Sequence, residues 1–160
     1  MARTISALTI VLTLAAAFAW ADEAGDTKAL AGAWNRVKRL NAASAQAMPE
    51  ANYAFKPTPD VRSFGEIIGH LANEHYSICS DVKGEANPQK SVDFEKKTTK
   101  ADLVKALNDS YAYCEGVRPK DEKGFGNLLV NVTHDSEHYG NLVTYLRMKG
   151  IVPPSSQPSR

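Results

Sequence analysis

The sequence holds only two cysteines, Cys79 and Cys114, in 160 residues, too few for a cysteine-built zinc scaffold. It lacks an excess of either charge. Its 19 Lys+Arg stand against 18 Asp+Glu, so the basic surface that a nucleic-acid binder needs is missing. No strand alternation of any length occurs and no segment repeats; there is neither a glycine-rich phosphate loop nor a Ser–His–Asp spacing. Histidine is scarce, at four. What is left is 43% apolar and 23% charged, ordinary soluble-protein composition at a length for one domain, which excludes a disordered or collagen-like chain.

The one long hydrophobic run stands at the start. Arg3 supplies a positive charge, Ile5 to Ala19 is uncharged and mostly apolar, and Ala19-Trp20-Ala21 reads as an A-x-A cleavage site. This is the three-part pattern of a secretory signal peptide over residues 1–21, and its apolar core is short for a spanning helix. The expectation is an exported chain, periplasmic or extracellular, with no stable membrane anchor; an N-terminal anchor is the alternative. After cleavage residues 22–160 balance acids and bases. Export also implies an oxidising compartment.

Four helical patterns follow. Segment 27–48 is alanine-rich, repeats Leu30, Trp34 and Val37 at helical spacing, and stops at Pro49. Pro57 and Pro59 enforce an extended connection. Ser63 with Glu66 forms a capping-box pattern that opens a second helix to about Val82. Residues 84–97 read as a polar connection. A third helix runs from about Ala101 to Val117, ahead of Pro119, and Gly124 and Gly126 introduce the last, which ends at Gly150. The predicted fold is all-α, a four-helix bundle over residues 22–152 with a disordered tail at 153–160. Trp34, Phe64 and Phe125 are read as core residues.

The four histidines are His70, His75, His134 and His138. His134 and His138, at i and i+4, share one face of the last helix. At about 100° per residue, Asn127, Asn131, His134, His138, Asn141 and Tyr145 make one polar stripe. Leu128, Val132, Leu142 and Leu146 lie beside it. A polar stripe next to an apolar flank points into the bundle or a cleft, where buried polar groups need partners and a cation can satisfy several imidazoles together. On the second helix Glu66, His70 and Glu74 share a face, and His75 stands about 140° away from His70 by the same rotation. The reading takes His70 as third ligand and leaves His75 at the core edge. Three nitrogen ligands with an open position suit a catalytic zinc; nickel, copper or iron also accept nitrogen ligation.

The stretch Phe55-Lys-Pro-Thr-Pro-Asp-Val-Arg-Ser-Phe-Gly-Glu-Ile-Ile-Gly-His70 resembles the start of helix two in the DinB/YfiT-like superfamily. So does Asn131-Val-Thr-His134-Asp-Ser-Glu-His138-Tyr-Gly-Asn-Leu, followed by Tyr145-Leu-Arg-Met-Lys-Gly-Ile-Val-Pro-Pro. The resemblance implies a bundle in up-down-down-up order and a divalent metal, zinc or nickel, on His70, His134 and His138. Family members often read His-Arg-Gly-Gln at the final ligand, where this chain has His138-Tyr139-Gly140-Asn141. With helices two and three parallel, as the resemblance implies, Cys79 and Cys114 come to one end of the bundle and can form a disulfide.

Some relatives are thiol-dependent transferases or isomerases, whose cytosolic thiols are scarce where disulfides persist. The leading expectation is therefore an exported metal-dependent enzyme, hydrolase or transferase, acting on a small molecule. Glu74 or Glu66 would carry protons, Tyr145 or Asn141 would contact substrate, and Asn131 would support the ligands. The alternative is a non-enzymatic bundle that binds a ligand or partner, with structural histidines. An apolar bundle face would permit a homodimer.

Overall fold

The computed structural model describes residues 5–158, with side chains described from Gly25 onward. The leader expected over residues 1–21 lies outside the residues described with their side chains. Four helices, α1 (Ile5–Ala47), α2 (Phe64–Lys83), α3 (Lys100–Cys114) and α4 (Glu122–Met148), alternate with 3-10 turns at Glu50–Asn52, Phe94–Lys96 and Pro154–Ser156. There is no strand among the described residues. No helix among them is long and apolar enough to cross a membrane.

Each helix end has a local cause. Ser63 Oγ accepts from Glu66 N–H at 3.1 Å and Glu66 Oε2 accepts from Ser63 N–H at 2.6 Å, so the capping box opens α2. Gly84, at φ 75°, closes it in the left-handed conformation that glycine takes without strain. Thr99 caps α3. That helix ends at Cys114 rather than near Val117, because Gly116 turns the chain at φ 72°. Asp121 caps α4 by accepting from Gly124 N–H at 2.7 Å, so Gly124 and Gly126 belong to the helix rather than preceding it.

Cross-helix contacts give the topology. Cys79 and Cys114, both near the C-terminal ends of α2 and α3, are disulfide-bonded with Cα atoms 5.6 Å apart, and Gly65 packs on Leu103 at the opposite ends. α2 and α3 therefore run parallel. α4 opposes them: Asn131 meets Cys79 while Tyr145 meets Phe64. α1 opposes α3, since Trp34 packs on Tyr111 while Lys100 donates to the carbonyls of Gln46 and Met48. The order is up-down-down-up. Phe64, Ile68, Leu71, Leu103, Leu107, Leu142 and Leu146 fill the space between the helices, each stabilising by about 1.5–3 kcal/mol on burial.

One expectation is corrected. Residues 153–156 are not a loose tail: Pro153 is buried, Ser155 N–H donates to Tyr139 Oη at 2.9 Å, and the turn packs on α1. The prolines pre-set the backbone, which lowers the entropy lost in laying it down. Within the connection 84–97, Phe94–Lys96 forms a 3-10 turn that lies against α2.

Candidate metal centre

α2 presents His70 and α4 presents His134 and His138 one turn apart. His134 Nε2 lies 3.1 Å from His70 Nε2 and 3.1 Å from His138 Nε2. All three nitrogens fall within 4.8 Å of one another. His70 turns its other nitrogen, Nδ1, to Glu95 Oε1 at 2.9 Å, and His138 turns Nδ1 to the Asn141 amide at 3.3 Å. When His70 Nδ1–H donates to the carboxylate, Nε2 is left with a lone pair. Lone pairs converging at this spacing repel unless a cation lies between them. At metal–nitrogen distances of about 2.0–2.1 Å, two ligand nitrogens on one ion stand roughly 3 Å apart, so the donor set fits a single divalent ion.

The electrostatics favour the neutral, ligating form. Burial holds His134 below the usual imidazole range, with His70 adding to it. His138 is pushed down to about 4 by burial, then by His134, His70 and Arg62. In the metal-free protein such groups bind protons more weakly folded than unfolded. Stability is then expected to fall as pH drops through about 6.5 toward 4. Urea midpoints at pH 7.5 and 5, with and without chelator, would measure this; a midpoint in chelator that does not fall would contradict it.

Glu95 is delivered by a strap. Asp93 caps the 3-10 turn by accepting from Glu95 N–H, and Asn73 accepts from Phe94 N–H at 3.0 Å while donating to Asp93. Gly69 lets the strap sit down: a Cβ there would lie 2.4 Å from Phe94 O and 2.7 Å from Glu95 N. Glu95 Oε2 accepts from Arg62 Nε at 2.9 Å, and Arg62 O accepts from Tyr145 Oη–H at 2.6 Å. The loop 56–62, the strap and α4 are thus tied around the ligands. Beside them opens a groove of about 710 Å³, bordered by Lys56, Arg62, Glu95, His138 and Tyr145.

The profile of the DinB superfamily matches residues 29–120, more than half of the chain. The chain belongs to the DinB superfamily. No curated protein and no solved structure matches it. In this DinB-superfamily chain the matched segment covers the described part of α1 from residue 29, together with α2 and α3, and contains His70. His134 and His138 lie beyond it and join His70 through the packing of α4.

The remaining candidates divide. Glu66 borders the groove, but its carboxylate is held by Ser63 N–H and by Lys56 Nζ at 2.9 Å. Those contacts, the Ser63 hydrogen bond first, keep it below the usual carboxylate range, which makes it a poor proton carrier. Glu74 lines a different groove, with Asn73, Tyr76 and Lys90. Asn131 supports no ligand; it is buried at the disulfide, with Nδ2 3.8 Å from Cys79 Sγ. Asn141 reaches His138, and Tyr145 spends its proton on Arg62. His75 is fully buried rather than at the core edge, 2.8 Å from both Ser110 Oγ and Asp135 Oδ1. These three are no hydrolytic triad, because all are sealed from solvent and Ser110 donates its proton to Leu107 O. Sequence reasoning missed Glu95 and Asp135. A glycine directly before a helical ligand signals close backbone approach, and an acid in register with Val132 and Leu142 signals a buried partner.

Proposed function

We propose that this DinB-superfamily chain is an exported metalloprotein whose His70, His134 and His138 hold one zinc or nickel ion, and that it acts as a hydrolase or transferase on a small molecule entering the groove. The carrying observation is the convergence of three Nε2 atoms at 3.1 Å spacings, with Glu95 holding the far side of His70. A bound divalent ion supplies Lewis-acid polarisation of a substrate oxygen. Glu95 orients His70, Arg62 and Lys56 bring positive charge to the groove wall, and Tyr145 braces the loop that carries Arg62. Cleavage near Ala21 would release residues 22–160 into an oxidising compartment, consistent with the disulfide.

Elemental analysis of residues 22–160, purified without an affinity tag beside a His70→Ala variant, tests the metal. Near-stoichiometric metal that disappears in the variant is the expected result. No metal in either protein after incubation with zinc and nickel would overturn the reading. Glu95→Gln is expected to weaken zinc ten- to a hundred-fold, the usual effect of losing a ligand's outer partner, as read by chelator competition.

One observation favours a second reading, a non-enzymatic ligand-binding bundle: of the three carboxylates that line the groove, Glu66 and Glu95 are both engaged in ion pairs, which leaves Asp60 on the loop for proton transfer. Exchange of small anions at the loaded site separates the two, since a closed structural site would show none.

A further inference from the structure

His134 is the ligand that touches both others, yet its aim is the least supported. His70 has Glu95 and His138 has Asn141 behind it, whereas His134 Nδ1 is buried without a partner. Its direction is therefore set by the rotation of α4 about its own axis. A side-chain tip about 5–6 Å from a helix axis moves roughly 1 Å for each 10° of rotation. Metal sites tolerate displacements of only about 0.5 Å. Something has to fix that rotation.

The next residue in the chain is held from every other helix. Asn41 of α1 donates from Nδ2 to Asp135 O at 3.2 Å and to Oδ2 at 3.4 Å. His75 of α2 places Nε2 2.8 Å from Oδ1, and Tyr111 of α3 donates to Oδ2 at 3.0 Å. Asn41, His75 and Asp135 are fully buried and Tyr111 is 1% exposed. Trp34 of α1 packs edge-on against both His75 and Tyr111. Hydrophobic contacts alone tolerate small rotations of a helix. A buried carboxylate with three directional donors does not, because rotation would strip hydrogen bonds that no water is present to replace.

We infer that Asp135, clasped by Asn41, His75 and Tyr111, is a positioning residue that locks the rotation of α4 and so aims His134 at His70 and His138. The inference rests on the metal reading above. It places in the hydrophobic middle of the bundle a device for the metal site rather than only for the fold.

The test compares Asp135→Asn, Tyr111→Phe and a remote core variant, Val82→Ala, with the wild-type protein. Zinc dissociation constants come from chelator competition, ligand geometry from the visible spectrum of the cobalt-loaded protein, and stability from thermal melting. Asp135→Asn is expected to weaken zinc at least ten-fold and to change the cobalt spectrum, with Tyr111→Phe a few-fold in the same direction. Val82→Ala should lower the melting temperature and leave both metal readouts unchanged. If Asp135→Asn fails to fold, Tyr111→Phe, which keeps the ring and removes one donor, decides. Wild-type zinc affinity and cobalt spectrum in the folded clasp variants, with only the melting temperature lowered, would overturn the inference. A wild-type protein that binds neither zinc nor cobalt would instead overturn the metal reading, and the inference with it.

Discussion

Replacing Gly69 by alanine is expected to destabilise the protein by about 1–2 kcal/mol net and to weaken zinc binding by one to two orders of magnitude. On helix propensity alone the sign would be opposite, since alanine is better than glycine inside a helix by about 1 kcal/mol. Space decides. The added methyl would stand 2.4 Å from Phe94 O, 2.6 Å from Phe94 C and 2.7 Å from Glu95 N. All three are backbone atoms, which cannot rotate out of the way, so the strap itself must lift. Overpacking of this kind costs about 1–3 kcal/mol. Lifting the strap also pulls Glu95 away from His70, which accounts for the loss of metal affinity. Gly126→Ala is the control, because no atom lies within 4 Å of its Cβ position, and a gain of about 0.5–1 kcal/mol is expected there. Urea unfolding and chelator competition on both variants check the pair. A Gly69→Ala protein as stable as wild type, with unchanged zinc affinity, would show that the strap does not orient His70.

The second large effect concerns the other end of the bundle. Removing the Cys79–Cys114 bridge, by reduction or as a Cys79→Ser, Cys114→Ser pair, is expected to cost about 4 kcal/mol. The bridge closes a sequence separation of 35, and the chain-entropy relation assigns about that amount to a loop of this length. It joins the two parallel helices, which the chain otherwise links only through the connection 84–99. His70, His134 and His138 lie toward the opposite end, so the reduced protein should melt well below the oxidised one yet keep its zinc affinity while folded. Thermal melts with and without reductant, with zinc titrations below the transition, measure both. An unchanged melting temperature on full reduction would contradict the entropic account.

The histidine pair at 134 and 138 was legible because i and i+4 always share a helix face. His70 and His75 stand about 140° apart around their helix, so only one of them can readily face that pair, and the reading took His70. The resemblance to the DinB superfamily brought these three histidines and the parallel order of α2 and α3 together. Asp135 and His75 were readable in part: each occupies a position in register with core leucines and valines of its helix. Periodicity, however, gives the face a residue occupies and not the group it meets across the core. The long polar stripe proposed for α4 did not hold as one functional surface. Asn131 belongs to the disulfide end, His134 and His138 to the metal centre, and Tyr145 to the loop carrying Arg62. A stripe spanning five helical turns runs past several different neighbours.

The sequence by itself determined the four helices, the capping box of α2 and the histidine pair of α4, because hydrogen-bonding caps and a 3.6-residue period are local properties of the chain. Only the tertiary structure decided which carboxylate does which work. Glu66 is taken by its cap and Lys56, Glu95 reaches His70 from a strap seated on Gly69, and Asp135 gathers one donor from each of the other three helices. Those assignments depend on distances between residues far apart in the chain, which spacing along one helix does not encode.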